Sequence, residues 1–99
     1  MLMSNAPPLS LARQVLQPAS IAAFRMYPFN FHGWKILDRW AFNTPEKLRE
    51  LEQQGLIKLM SRVLDQQHAE MGALIDAMRH SEGLAEHEVM AMHEIRTEL

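Results

Sequence analysis

The longest regular pattern in the sequence is an apolar repeat at helical spacing between Leu56 and Arg79. At about 100° per residue, its apolar side chains fall within an arc of about 160° on the helix surface. The side chains in this arc are Leu56, Leu59, Met60, Val63, Leu64, Met71, Leu74, Ile75 and Met78. A face this wide can pack against more than one neighbour, so the pattern predicts one long central helix in a bundle.

Shorter helical patterns precede this element. Apolar residues on one side predict a helix after Pro8, which Pro18 kinks or restarts. A second amphipathic pattern predicts a short helix over Trp34–Ala41. The intervening run, Tyr27–Gly33, contains two helix breakers and no period, which indicates a packed loop.

Capping residues mark the remaining boundaries. Thr44 as a cap, followed by Pro45 in the first turn, predicts the start of a helix that Gly55 ends. Ser81 is the predicted cap of a last helix over residues 84–99. On that helix, Met92 is predicted to lie in the core.

Length and composition limit the chain to one small domain. It has 99 residues and no cysteine, which excludes disulfides and thiol metal ligands. No segment alternates apolar and polar residues as a strand would. We therefore expect a single all-α domain over residues 1–99, a small bundle of four to five helices, with residues 1–7 frayed at its start.

The length of the uncharged stretches limits where in the cell the protein can lie. The longest stretch without a charged residue has 12 residues, Met1–Ala12, which is shorter than a membrane span of about 20 residues. The start also lacks a signal-peptide pattern, so we expect a cytoplasmic protein without a membrane contact.

The charges are unevenly distributed along the chain. Residues 1–62 carry eight bases and four acids, whereas residues 63–99 carry two bases and eight acids. This asymmetry indicates two solvated faces or, alternatively, head-to-tail contact between chains.

Aromatic residues form the most distinctive local feature. All seven lie between Phe24 and Phe42, interleaved with basic residues. Three interpretations remain open: a packed loop, a platform that stacks bases or holds a cation, and an anchor for a protein partner. Met90 is a further candidate contact for a protein partner, because it lies on the side of the predicted last helix opposite the apolar one. The candidate partner-binding residues are therefore Tyr27, Phe29, Phe31, Trp34, Trp40 and Met90.

Two polar residues interrupt apolar helix faces. Gln67 lies at the centre of the long arc, and Glu88 lies within the apolar side of the last helix. Such residues fix register in paired helices. Gln67 could therefore meet its symmetry mate in a homodimer built through residues 56–79, or it could reach solvent or cap a loop.

Metal and catalytic patterns are weak. Asp65 and His68 have the spacing of a carboxylate and imidazole pair, but the further acids of a di-metal bundle are not visible. Glu86, Met90 and His93 form a helical stripe that could suit copper. No phosphate loop, nucleophile elbow or thiol is present. We expect no metal, no cofactor and no enzymatic activity.

Residues 44–57, Thr-Pro-Glu-Lys-Leu-Arg-Glu-Leu-Glu-Gln-Gln-Gly-Leu-Ile, resemble the recognition-helix segment of MerR-type transcription regulators. The resemblance covers 14 of 99 residues. It implies a small DNA-binding regulator in which Lys47, Arg49 and Lys58 contact DNA. The segment lacks the usual aromatic positions, and no wing follows Gly55.

The features together favour a small non-catalytic protein that binds another protein, as an inhibitor, adaptor, immunity-type or chaperone-like factor. The methionine-rich composition, with eight Met, supports this because Met adapts to irregular partner surfaces. A DNA-binding regulator is the alternative.

Overall fold

The computed structural model describes residues 7–79, 83 and 85–99. In these residues a 3-10 turn at Ala12–Gln14 precedes five α-helices, and no strand occurs among them. The helices are α1 Pro18–Phe24, α2 Phe31–Asn43, α3 Pro45–Gln53, α4 Leu56–Arg79 and α5 Glu86–Met92. The predicted all-α bundle with one long helix is confirmed. No helix in the described ranges is long and apolar enough to cross a membrane.

Residues 7–17, which we call the first segment, are less helical than predicted. Among the described residues before α1 only a 3-10 turn forms, and Leu9 takes a positive φ of 70° that a right-handed helix does not allow. The Asp38 carboxylate accepts hydrogen bonds from the amides of Leu9 and Ala12, each at 2.9 Å. This contact holds the segment against α2 and leaves Leu9 fully buried.

Helix α2 begins three residues earlier than predicted. The side chain of Asn30 accepts hydrogen bonds from the amides of His32, at 2.9 Å, and Gly33, at 3.4 Å. Asn is one of the residues that commonly cap the start of a helix. The sequence therefore contains a signal for this boundary, which the prediction of a loop over Tyr27–Gly33 did not use.

The boundary between α2 and α3 differs from the prediction in the role of the Thr44 side chain. Pro45 begins α3 as predicted, but Thr44 does not cap it with its side chain. Its hydroxyl donates instead to the carbonyl of Trp40, at 3.3 Å, and so belongs to the end of α2. Gly55, at φ 133°, makes the turn between α3 and α4.

The predicted helix over residues 84–99 is wrong in its length. Helix α5 ends at Met92, and Glu94 then takes a positive φ of 55°. Residues 93–99 continue as an irregular segment, which we call the tail. The predicted cap Ser81 lies outside the described residues.

Two apolar clusters form the interior. The main cluster joins the first segment, α1, α2, α3 and the first half of α4, and its fully buried members include Phe24, Ile36 and Trp40. A smaller cluster joins the end of α4 to α5 and contains Ala73, Ala77, Val89 and Met90.

Three methionines occupy positions opposite to those expected. Met90 is buried, with 4% of its surface exposed, so its predicted outward position is wrong. Met78 and Met92, predicted to be core residues, are 78% and 60% exposed. The face of each helix that packs inward depends on its neighbours, and hydrophobicity along one helix does not specify those neighbours.

Candidate functional site

The aromatic segment divides into buried and exposed side chains. Phe24, Phe29 and Trp40 are buried, and the rings of Phe24 and Phe29 pack edge to face with centroids 4.6 Å apart. Tyr27 is 96% exposed and Phe31 is 60% exposed. The packed-loop interpretation therefore holds for the buried side chains. A partner could reach only the exposed ones, Tyr27 and Phe31 among them.

Two side chains, the half-buried Trp34 and the buried Gln67, fix the loop that carries Tyr27. The indole Nε1 of Trp34 donates to the carbonyl of Phe24 at 2.6 Å, at the end of α1. On the other side of the loop, Gln67 Nε2 donates to the carbonyl of Pro28 at 3.1 Å. Tyr27 therefore projects from a backbone that is held at both ends.

Gln67 contacts the loop, which is one of the alternatives that the sequence left open. It is 2% exposed, and its Oε1 accepts from the amide of Asn30 at 3.4 Å while its Nε2 binds Pro28. Both ends of the amide are thus engaged within one chain, because the loop crosses α4 at this point. These contacts agree with the loop-capping alternative, and a homodimer through residues 56–79 stays a prediction.

Three exposed apolar residues lie in this loop or at its end. We define the loop face as Met26, Tyr27 and Phe31, of which Met26 is 66% exposed. The loop reaches α4 where the Nδ2 of Asn30 lies 3.5 Å from the Sδ of Met71. Exposed apolar side chains continue from Met71 along this side of α4, at Ile75 and Met78.

A buried carboxylate is the centre of the polar interior. Glu70 on α4 is 1% exposed, and its oxygens lie 2.9 Å from His32 Nε2 and 2.6 Å from Gln66 Nε2. Arg39 donates to both oxygens of this carboxylate. We call these four residues the Glu70 cluster.

Charge and hydrogen bonding keep Glu70 ionised. Burial raises its pKa, but hydrogen bonds from His32, Arg39 and Gln66, together with the charge of Arg39, outweigh burial and lower the pKa from 4.5 to about 2. The carboxylate is saturated by donors and removed from solvent. Its geometry suits an internal anchor rather than a general acid that donates a proton to a substrate.

The Glu70 cluster also holds the tail. Gln66 Nε2 donates to the carbonyl of Arg96 at 2.7 Å, and Arg39 Nε donates to the carbonyl of Thr97 at 2.9 Å. Trp40 Nε1 donates to the same Thr97 carbonyl at 2.8 Å. Trp40 is therefore a core residue that binds the tail, and no part of it is exposed.

The sequence reasoning missed Glu70, although a signal was present. Its position falls inside the arc defined by Leu59 and Val63, where an acid is out of place. An acid within a buried helix face indicates an internal ion pair.

The predicted metal-ligand patterns are not brought together. Met90 is buried, Glu86 pairs with Lys35 at 3.1 Å, and His93 lies 3.3 Å from Asp76. No group of three or more potential His, Cys, Asp or Glu ligands occurs in the part of the chain that the structure describes.

The segment that resembles MerR regulators forms α3 and the start of α4. Arg49 and Lys58 are exposed, while Lys47 donates to the carbonyl of Leu99 at 3.3 Å. This chain matches no known protein-family model, and no curated protein or solved structure is significantly similar to it.

Proposed function

We propose that this protein is a non-catalytic binding module that recognises a protein partner through the loop face. The observation that carries the proposal is the exposure of Tyr27 on a loop that Trp34 and Gln67 hold from either side, and of Phe31 at the start of α2 directly after this loop. Aromatic residues dominate the binding energy of protein interfaces. A loop that is already fixed loses little conformational entropy when it binds.

The loop face fits the protein-binding hypothesis better than base stacking. Its three members carry no charge, and two basic residues of the aromatic segment, Lys35 and Arg39, have other contacts. Arg39 binds Glu70 and the tail, and Lys35 pairs with Glu86 at 3.1 Å. The DNA-binding alternative stays a prediction for α3, where Glu46 and Glu50 alternate with the basic residues.

Affinity capture with the full chain tests the proposal. Native lysate of the source cells is passed over the wild-type protein, a Tyr27→Ala/Phe31→Ala variant and an Ile57→Ala variant. Ile57 is the matched control, since it is 80% exposed but lies on α4 away from the loop. Circular dichroism first establishes that all three proteins are folded.

The expected result is one stoichiometric protein that the wild type and Ile57→Ala both retain and that the double variant loses. Truncation of a binding hot spot costs about 2 kcal/mol or more, equivalent to at least a 30-fold loss of affinity. Recovery of the same protein by all three baits would contradict a role for the loop face. Recovery of DNA in place of protein would favour the alternative function.

A further inference from the structure

A surface cavity of about 640 Å³ lies between the first segment and α1. Leu16 and Ile21 line it and also belong to the main core, so the base of the cavity is apolar and fixed. Pro18 and Ala22 add further apolar surface. Ligand sites in proteins commonly enclose about 300–1000 Å³ and are lined mainly by apolar groups.

Two cations flank this apolar surface. Arg13 and Arg25 line the cavity, both are exposed, and neither forms an ion pair with any residue that the structure describes. The sequence explains the lack of local acids, because residues 1–37 contain three bases and no Asp or Glu.

Acids from elsewhere in the fold do not neutralise the two guanidinium groups. Asp38 binds backbone amides of the first segment. Glu52 accepts from the Gln17 amide at 2.8 Å and the Ser20 hydroxyl at 2.6 Å. Neither carboxylate lines the cavity, so its lining residues carry two positive charges and no negative one.

We propose that this cavity binds a small carboxylate with an apolar body, of the class of medium-chain fatty acids. Arg13 and Arg25 hold the carboxylate, since a guanidinium group matches its planar geometry with two parallel hydrogen bonds. The hydrocarbon body covers Leu16 and Ile21. This site shares no residue with the loop face, and its occupation requires no protein partner.

Titration of the full chain with octanoate tests the proposal by NMR. The expected result is saturable shifts of the Ala22 methyl group and of the Arg13 and Arg25 Nε–H groups. Acetate supplies the charge alone and 1-octanol supplies the apolar body alone, so each is expected to bind at least tenfold more weakly. The proposal would be overturned if 1-octanol bound as tightly as octanoate. It would also be overturned if octanoate caused no saturable shifts at the Ala22 methyl group or at the two arginine Nε–H groups.

Variants then locate the site. Arg13→Gln and Arg25→Gln are each expected to weaken octanoate binding about tenfold, whereas Arg49→Gln, on the exposed side of α3, leaves it unchanged. Ala22→Trp fills the cavity and is expected to abolish binding. Ala19→Trp is its matched control, because Ala19 is exposed on the same helix and does not line the cavity. Wild-type affinity in both arginine variants and in Ala22→Trp would show that octanoate binds elsewhere and would overturn the assignment.

Discussion

Among single residues, Glu70 joins α4 to α2 and, through Arg39 and Gln66, to the tail. Its carboxylate binds His32 and Arg39 on α2 and Gln66 on α4, and the last two residues also bind the tail. A buried carboxylate is stabilising only when its charge is compensated and its oxygens are hydrogen-bonded. The Glu70 cluster meets both conditions. Loss of the Glu70 carboxylate would leave the guanidinium group of Arg39 without its buried partner.

The lowered pKa of Glu70 predicts how stability depends on pH. Because the folded value is about 2 and the ordinary value is 4.5, the ionised carboxylate stabilises the fold above pH 4.5. This contribution falls as the pH decreases from 4.5 toward 2. At about 1.4 kcal/mol per pKa unit, the full contribution is on the order of 3–4 kcal/mol.

Urea unfolding of the wild type and Glu70→Gln between pH 7 and pH 3 measures this contribution. We expect the variant to be less stable at pH 7 and the difference to shrink as the solution becomes acidic. Glu50→Gln, at an exposed site on α3, is the control and should follow the wild type. A constant difference between Glu70→Gln and wild type across this range would show that the charge of Glu70 is not the cause.

At the scale of elements, α2 and α4 approach each other closely at Gly33. A Cβ atom at this position would overlap Oε1 of Gln67, whereas a Cβ at Gly72 would meet nothing within 4 Å. Both glycines lie within helices, so they form a matched pair. The absence of a side chain at Gly33 is therefore what permits Gln67 to reach the loop.

Alanine at these two glycines should act in opposite directions. Gly33→Ala displaces Gln67 from Pro28 and Asn30 and should lower the free energy of unfolding by about 1 kcal/mol. Gly72→Ala should raise it by about 0.5–1 kcal/mol, because Ala loses less backbone entropy in a helix. Urea denaturation measures both, and equal stabilisation by the two changes would contradict the close approach.

At the scale of the whole molecule, the two apolar clusters differ in size and support. The main cluster joins four helices and the first segment, whereas the smaller one joins only α5 and the end of α4. Elements with few buried contacts open at lower free energy than the rest of a protein. We therefore expect α5 to open before the main core.

Met90→Ala should lower the stability of this small cluster selectively. Removal of a buried Met side chain costs about 2 kcal/mol or more. The Ile95 amide, which donates to the Met90 carbonyl at 2.9 Å, should then exchange its hydrogen at least tenfold faster, while the amide of Val63 is unaffected. Met92→Ala is the control, since Met92 is 60% exposed. Equal acceleration at Ile95 and Val63 would instead indicate a single cooperative unit.

Part of the site could be predicted from local chemistry. The segment rich in aromatics, between Phe24 and Phe42, contains the exposed residues of the proposed loop face. This concentration of aromatics did not separate Tyr27 and Phe31, which are exposed, from Phe29 and Trp40, which are buried. That separation depends on Gln67 and Trp34, which fix the loop from positions far along the chain or on the next helix.

The sequence by itself determined the helical class of this protein and its long α4, because helical periodicity and Pro45 at a helix start act over a few neighbouring residues. Only the tertiary structure decided which side of α4 faces inward. Glu70 and Gln67 are buried there while Ile75 and Met78 remain exposed. The physical reason is that Glu70 and Gln67 find hydrogen-bond partners on distant segments, and this compensation makes a polar residue stable in a position that its hydrophobicity alone would exclude.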